Sequence, residues 1–349
     1  MKTLLERYFS FVRGFIPAPP DSSSIGLDIT PTECKLVEIK RRETGYELRR
    51  VAIERLNQQN PLETIKGMLA DTDLTHVNFQ TALQGKGTLI RYIEMPRMTV
   101  DELRNSFALE ADKYFPFAQG QIYTDCFILD PQGKTKQMDV MAAASTKDLV
   151  DERLKLLNSA GVATDLVCIN SVALANIVRV LEGAKNEEAV CAIVEIGETV
   201  SSITILVNGL PRFSRDIFIG GRDFTKRISN AMGIEAPEAE ALRRSDSAKA
   251  KEVTAACESI FQNLTQELRL SFDYFSTEKN KEVHRVLLTG DQAMMPGIKE
   301  SLEENLEIKM EMWNPFEKLG VSGDIKKEDI AKQAHTLSVA LGLALYGND

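Results

Sequence analysis

Leu27-Asp28-Ile29-Thr30-Pro31-Thr32-Glu33-Cys34-Lys35-Leu36-Val37 reads as a strand, a turn and a second strand. The same design returns at Val194-Glu195-Ile196-Gly197-Glu198-Thr199-Val200-Ser201-Ser202-Ile203-Thr204. In each copy an apolar strand carries an acid next to its end, a short turn follows, and a second strand runs back. Residues 27–30 lie over 194–197 and 34–37 over 201–204, which puts Asp28 and Glu195 167 residues apart. A repeat at that spacing indicates two like domains, not a solenoid of short units. Around the first copy, strands at 25–29, 34–39 and 46–53, split by Thr30-Pro31 and Thr44-Gly45, predict a meander. Around the second, 201–207 and 210–218 flank Asn208-Gly209, a strong hairpin signal.

The remaining patterns complete an α/β chain. Pro61 opens a helix through about residue 69, and 77–83 reads as a strand. Residues 88 to about 145 look like an insertion with its own small fold. It has a strand at 89–93 and a helix capped by Thr99, with Glu102 completing a capping box. That helix runs to about 114 and ends near Pro116; strands at 123–129 and 137–143 follow across Pro131-Gln132-Gly133. A helix at 147–160 stops at Gly161, then come a strand at 165–169 and a helix at 171–182. After the second hairpin the pattern gives helices at 223–232, 237–241 and 248–275, and a strand at 285–289 ending in Gly290. A helix through 305, a short edge strand at 309–312 and a closing helix at 335–346 end the chain.

Of 349 residues, 42 are Lys or Arg and 51 are Asp or Glu, a formal net charge of −9. That balance argues against a general nucleic-acid binder, which carries a basic excess. It leaves local patches of either sign for protein partners. Cys34, Cys126, Cys168, Cys191 and Cys257 are odd in number, far apart and mostly in apolar surroundings, as reduced cytoplasmic cysteines are. Three histidines without a CxxC pair offer no zinc cluster. No apolar run approaches the roughly 18 residues of a transmembrane helix. Residues 1–16 are broken by Glu6, Arg7, Ser10 and Arg13, so they are no signal peptide. Wound as a helix they are amphipathic, with Leu4, Leu5, Tyr8, Phe9, Val12 and Phe15 on one face. A Pro/Ser linker, 17–24, follows. Two readings of the helix stand: it packs on its own domain, or it docks on a membrane surface or partner.

Two meander-and-helix domains, each opening on an apolar-acid-Ile strand, is the layout of the actin superfamily. Further motifs narrow it. Arg91-Tyr92-Ile93-Glu94-Met95-Pro96-Arg97-Met98 with Glu102-Leu103, and Glu110 to Phe117 with its Tyr114-Phe115-Pro116-Phe117, resemble the PilM family of type IV pilus assembly. Leu210-Pro211-Arg212-Phe213-Ser214-Arg215-Asp216-Ile217 with Gly220-Gly221, Glu267 to Phe275, and the ending Ala340 to Leu345 are similar to it as well. The resemblance runs from Ile25 onward. It implies an actin-like, RNase H-like duplicated fold with the 1C subdomain of the FtsA and PilM branch. The expected division is 1A at 24–87, 151–187 and 331–349; 1C at 88–150; 2A at 188–222 and 283–330; and 2B at 223–282.

The resemblance also implies an ATP site between the halves. Asp28, Thr32, Lys35, Gly197, Thr199, Gly220, Gly221, Glu267 and Gly290 would meet the nucleotide, and Asp28 and Glu195 would hold Mg through water. Small residues let backbone approach phosphate, and carboxylates suit a hard cation. The chain departs from the family pattern. Thr30 replaces a Gly, Pro31 removes a donor, Leu270 stands at an often basic position, and Glu33, Glu198 and Asp291 add acids beside the expected phosphates. Two readings of Asp28 and Glu195 therefore stand, nucleotide ligands or strand ends that cap turns, and hydrolysis is not expected. The family's partner is the cytoplasmic N-terminal segment of PilN, an inner-membrane protein, taken in a groove between 1A and 1C. Leu103, Phe107, Phe115 and Phe117 are the expected lining. The implied role is a cytoplasmic adaptor at the inner face of the membrane, joined there by other platform proteins. The alternatives are an active ATPase or small-molecule kinase of the same fold, and a GspL-like secretion platform component.

Overall fold

The computed structural model describes residues 23–346 apart from 44, 71, 73, 75–76, 119, 184–189, 245–247 and 324. The expected helix at 1–16 and the linker up to residue 22 lie outside the described residues. Ser23 and Ser24, expected in the linker, are already in a strand.

The first copy folds as β1 (Ser23–Ile29), β2 (Glu33–Arg42) and β3 (Gly45–Arg55), followed by α1 (Pro61–Leu69) and β4 (Val77–Leu83). The insertion is β5 (Thr88–Pro96), α2 (Val100–Glu110), β6 (Ile122–Ile128) and β7 (Gln137–Thr146). Next come α3 (Lys147–Ser159), β8 (Leu166–Ile169) and α4 (Asn170–Ile177). The second copy is β9 (Val190–Ile196), β10 (Ser201–Val207) and β11 (Leu210–Ile217). It continues through α5 (Gly221–Met232), α6 (Ala236–Arg243), α7 (Ala250–Lys279), β12 (Arg285–Thr289), α8 (Ile298–Leu306) and β13 (Met310–Met312). The chain closes with β14 (Gly320–Val321), α9 (Lys327–Gln333) and α10 (Ser338–Ala344).

Three sheets result. The first has strand order β14-β3-β2-β1-β4-β8, the second β11-β10-β9-β12-β13, and the small sheet β5-β7-β6. The duplication is visible in the register. Antiparallel β1–β2 places Asp28 opposite Lys35, and antiparallel β9–β10 places Glu195 opposite Ser202. Each acid-bearing strand then pairs in parallel with a later one, β1 with β4 and β9 with β12. Both acids thus reach the same end of their sheets.

The chain returns to the first sheet earlier than residue 331. β14 pairs with β3, and Trp313, Phe316 and Leu319 join a core with α4 and α10. That core also takes Cys191, Ile193, Leu206 and Leu287 of the second sheet, so the two halves share apolar packing. The closing helix is shorter than 335–346 and lies very close to its neighbours. A Cβ on Gly26 would come within 2.0 Å of the Ala340 carbonyl oxygen, and one on Gly342 within 2.0 Å of that of Ala173. The long helix runs past Phe275 to Lys279, ended by Asn280 in the left-handed region at φ 49°.

In the insertion, the Thr99 hydroxyl accepts from the Glu102 amide at 3.3 Å, and the Glu102 carboxylate accepts from the Thr99 amide at 2.8 Å. This capping box satisfies orphan donors at the start of α2. Behind it Leu103, Phe107, Phe115, Met138 and Val140 form a separate core. All five cysteines are free thiols, and four are buried.

A charged cleft and two grooves as the candidate functional site

The ends of β1 and β9 face each other across a cleft. Lys35, opposite Asp28 in β2, brings its ammonium 3.6 Å from the Asp28 carboxylate and hydrogen-bonds Asp291 beyond β12. These side chains are at most 5% exposed. Burial raises the Asp28 pKa, against the pull of Lys35. Burial also works against the Lys35 charge, but Asp291 and Asp28 outweigh it and hold the ammonium above its usual range. Glu195 accepts hydrogen bonds from Gln84 Nε2 at 3.0 Å, Ser202 Oγ at 3.1 Å and Asn170 Nδ2 at 3.3 Å. Burial, with the charge of Asp28 added, pushes its carboxyl up to about 8.

The three added acids are each paired, contrary to their expected role as bare charge beside phosphate. Glu33 takes Arg244 at 2.6 Å, Glu198 takes the fully buried Arg243 at 3.1 Å, and Asp291 takes Lys35. Gln292 bridges the middle pair, donating to Glu198 at 3.1 Å and accepting from Arg243.

The backbone donors are engaged as well. The Gly221 amide donates to the Gly197 carbonyl at 3.0 Å, and the Arg222 amide to that of Glu198 at 2.9 Å. The Asp223 and Phe224 amides donate to Gly220, and the Gly220 amide to the Asp223 carboxylate. The start of α5 is therefore satisfied inside the protein, and it does not offer Gly220 and Gly221 to an anion. Gly221 is needed there for another reason: a Cβ would come 1.9 Å from Arg243 Nη1. The Gly290 amide donates to the His335 carbonyl at 3.0 Å and the Gly197 amide to that of Val200 at 3.1 Å. In the first turn, Thr30 Oγ1 accepts from the Glu33 amide at 3.0 Å. Thr199 lies in the second turn. Thr32 keeps a buried hydroxyl without a partner among the described residues.

Mg-ATP does not fit this arrangement. A divalent cation at Asp28 would meet the Lys35 ammonium, a like charge in a poorly solvated site. Phosphates would meet the paired acids, and the amides of Gly197, Gly220, Gly221 and Gly290 already have acceptors. Glu267, expected at the nucleotide, instead binds Arg215 at 2.5 Å, and Leu270 is 51% exposed on an outer groove.

The expected partner lining is also corrected. Leu103, Phe107 and Phe115 are at most 2% exposed and belong to the core of the small sheet. Leu103 and Phe107 face the sheet from α2, and none of the three lines either groove. The grooves themselves are marked by exposed apolar side chains. Nine large ones are exposed among the described residues, and six border two hollows. Tyr123, Phe127 and Tyr346 border a groove of about 510 Å³ between the first sheet and the small sheet. Its walls include β8 and β6, which are edge strands of those sheets, and the turn at Gly209, Leu210 and Pro211 from the second half. The alternation on β6, with Tyr123, Asp125 and Phe127 outward, was the available sequence signal.

Phe218, Leu270 and Tyr274 border a second groove of about 830 Å³, between β5, β11 and α7, together with Phe117. Asp216 lines it and accepts from the Gly85 amide at 3.1 Å. Burial pushes its carboxyl up to about 6, against that hydrogen bond. An unfolded carboxyl titrates near 3.8. The folded state therefore holds the proton more strongly, and the stability this confers is lost as pH rises through 6. Asp216→Asn keeps an acceptor for Gly85 and removes the charge. In thermal melts it should exceed the wild type by on the order of 1–2 kcal/mol near pH 7.5 and match it near pH 4.

Two duplicated sheets with a shared helical core and a cleft between the acid-bearing hairpins define an actin-like protein. Comparison with known proteins makes the class specific. The model of a family described as type IV pilus assembly protein PilM matches residues 26–348, and the chain belongs to that family. Among solved structures, a PilM-PilN type IV pilus biogenesis complex is similar at TM-score 0.84 and 24% identity, over 95% of this chain and 100% of that one. Ethanolamine utilization protein EutJ from Carboxydothermus hydrogenoformans is similar at 0.54 and 15%, over 98% of each chain. MreB 5 of Spiroplasma citri bound to AMPPNP is similar at 0.52 and 9%, over 94% and 97%. At these identities the likenesses are of fold. Among the described residues no helix is long and apolar enough to cross a membrane.

Proposed function

We propose that this chain is an adaptor of type IV pilus assembly. Its 510 Å³ groove would take the N-terminal segment of a PilN-like protein at the inner face of the cytoplasmic membrane. The observation that carries the reading is the meeting of two sheet edges, β8 and β6, in one groove floored by apolar side chains. An extended segment can add to such an edge through its backbone, while alternate side chains enter apolar pockets. Family membership and the likeness to a PilM-PilN complex support the same partner. This reading does not require nucleotide in the cleft.

The test is titration calorimetry with a synthetic peptide copying the N-terminus of a PilN-like protein. Phe127 is 54% exposed, so Phe127→Glu should leave the fold intact. It should weaken the peptide about tenfold or more, by placing a charge against its apolar side chains. Unchanged affinity would remove the groove from the reading.

A further inference from the structure

We infer that the cleft between the two halves is a clamp closed by the protein's own ion pairs in place of a nucleotide. The inference extends to the partner groove, and in that part it rests on the reading above. Three sets of contacts at the cleft cross from one half to the other. Lys35 of β2 holds Asp291, which follows β12. Arg244, just past α6, holds Glu33 at the start of β2. Gln84 and Asn170, from the first half, hold Glu195 of β9. The ionic side chains of the first set, and Asn170 and Glu195 of the third, are almost wholly buried. A fourth group, Glu198 with Arg243 and Gln292, fixes the β9–β10 turn to the loop after β12 within the second half. The Gly290 amide and the Thr289 hydroxyl both donate to the His335 carbonyl, so the end of β12 is also tied to the closing segment of the chain.

The chemistry is self-sufficient. Lys35 lies between Asp28 and Asp291 and supplies the positive charge that a cation would otherwise bring between two buried carboxylates. Glu33, Glu198 and Asp291, which would repel a polyphosphate, are the acceptors of the clamp. Glu33 and Asp291 therefore hold the halves together, and Glu198 braces the second half beside them.

The clamp also reaches the partner groove. The first sheet and the small sheet supply two of its walls, but Gly209, Leu210 and Pro211 come from the second half. The groove therefore keeps its shape only while the halves keep their relative position, to which the cleft contacts add beside the shared apolar core.

Hydrogen exchange on the full-length chain tests this, read on backbone amides of residues 29–34 and 197–201. In the wild type both turns should be protected without nucleotide, and Mg-ATP at millimolar concentration should add nothing. Lys35→Met leaves Asp28 and Asp291 as unpaired buried acids. It should speed exchange at both turns and weaken the partner peptide, each about tenfold. The triple variant Asp28→Asn/Lys35→Met/Asp291→Asn removes all three charges together and should restore both. Added protection by Mg-ATP in the wild type would overturn the clamp, as would Lys35→Met turns that exchange like wild type. If the wild type fails to bind the peptide, the adaptor reading falls, while the exchange data still decide the clamp.

Discussion

Replacing Arg243 with alanine should remove on the order of 3–5 kcal/mol of stability from the second half. The side chain is 0% exposed, and its guanidinium holds Glu198 at 3.1 Å and donates to Gln292. Truncation leaves the Glu198 carboxylate buried at 6% exposure without its counter-charge, beside an amide oxygen that has lost its donor. Burial already raises the Glu198 pKa, and Arg243 is the largest opposing influence. Without the arginine the carboxyl would sooner take up a proton than stay charged. Chemical denaturation of the variant should show this loss. Glu198→Gln/Arg243→Met, which removes both charges and keeps most of the volume, should recover most of it. If the single and double variants lose equal stability, neither the orphaned charge nor lost volume accounts for the cost, which then lies in the guanidinium's lost hydrogen bonds. The position matters because Arg243, Glu198 and Gln292 brace the turn between β9 and β10, and Gly221 exists to let them in.

How much of this could be read from residues alone depends on how local each signal was. The duplicated hairpins were legible because an apolar strand, an acid and a return strand lie within a dozen residues. The α2 start was legible because Thr99 and Glu102 are three apart and the capping box is a contact of that span. β14 was not, since a two-residue strand has no period to detect. The charge pattern was half legible. Glu33, Glu198 and Asp291 stood out as extra acids, but their partners lie 211, 45 and 256 residues away. No spacing rule links residues so far apart, so the acids looked like repulsion when they are clasps. Bulk was a poor guide to the groove. Phe107 and Phe115 have the bulk of groove residues, yet a small sheet must bury its largest side chains to have a core at all. Phe127 is equally large, but it alternates with the buried Cys126 and faces outward.

Gly342→Ala should destabilise the protein by about 3 kcal/mol, although alanine is the better helix former. In an exposed helix the exchange would gain about 1 kcal/mol. Gly342 is instead at the crossing of α10 and α4, where a Cβ would lie 2.0 Å from the Ala173 carbonyl oxygen and 2.5 Å from its carbon. Both are backbone atoms of a neighbouring helix, so neither can turn aside as a side-chain tip could. The Asn176 amide also donates to the Gly342 carbonyl at 2.9 Å, fixing the crossing from the other side. The helices must therefore separate, and the core around them holds Leu174, Ile177 and Leu341 from the first half with Ile193 and Leu287 from the second. Separation reaches function by a short path, because Val172 and Ala175 of α4 line the partner groove. Thermal unfolding should show the stability loss. Calorimetry at a temperature where the variant is still folded should show weaker peptide binding as well. A variant as stable as wild type would mean that the two helices have slack at the crossing, and that the groove is not held in shape from behind.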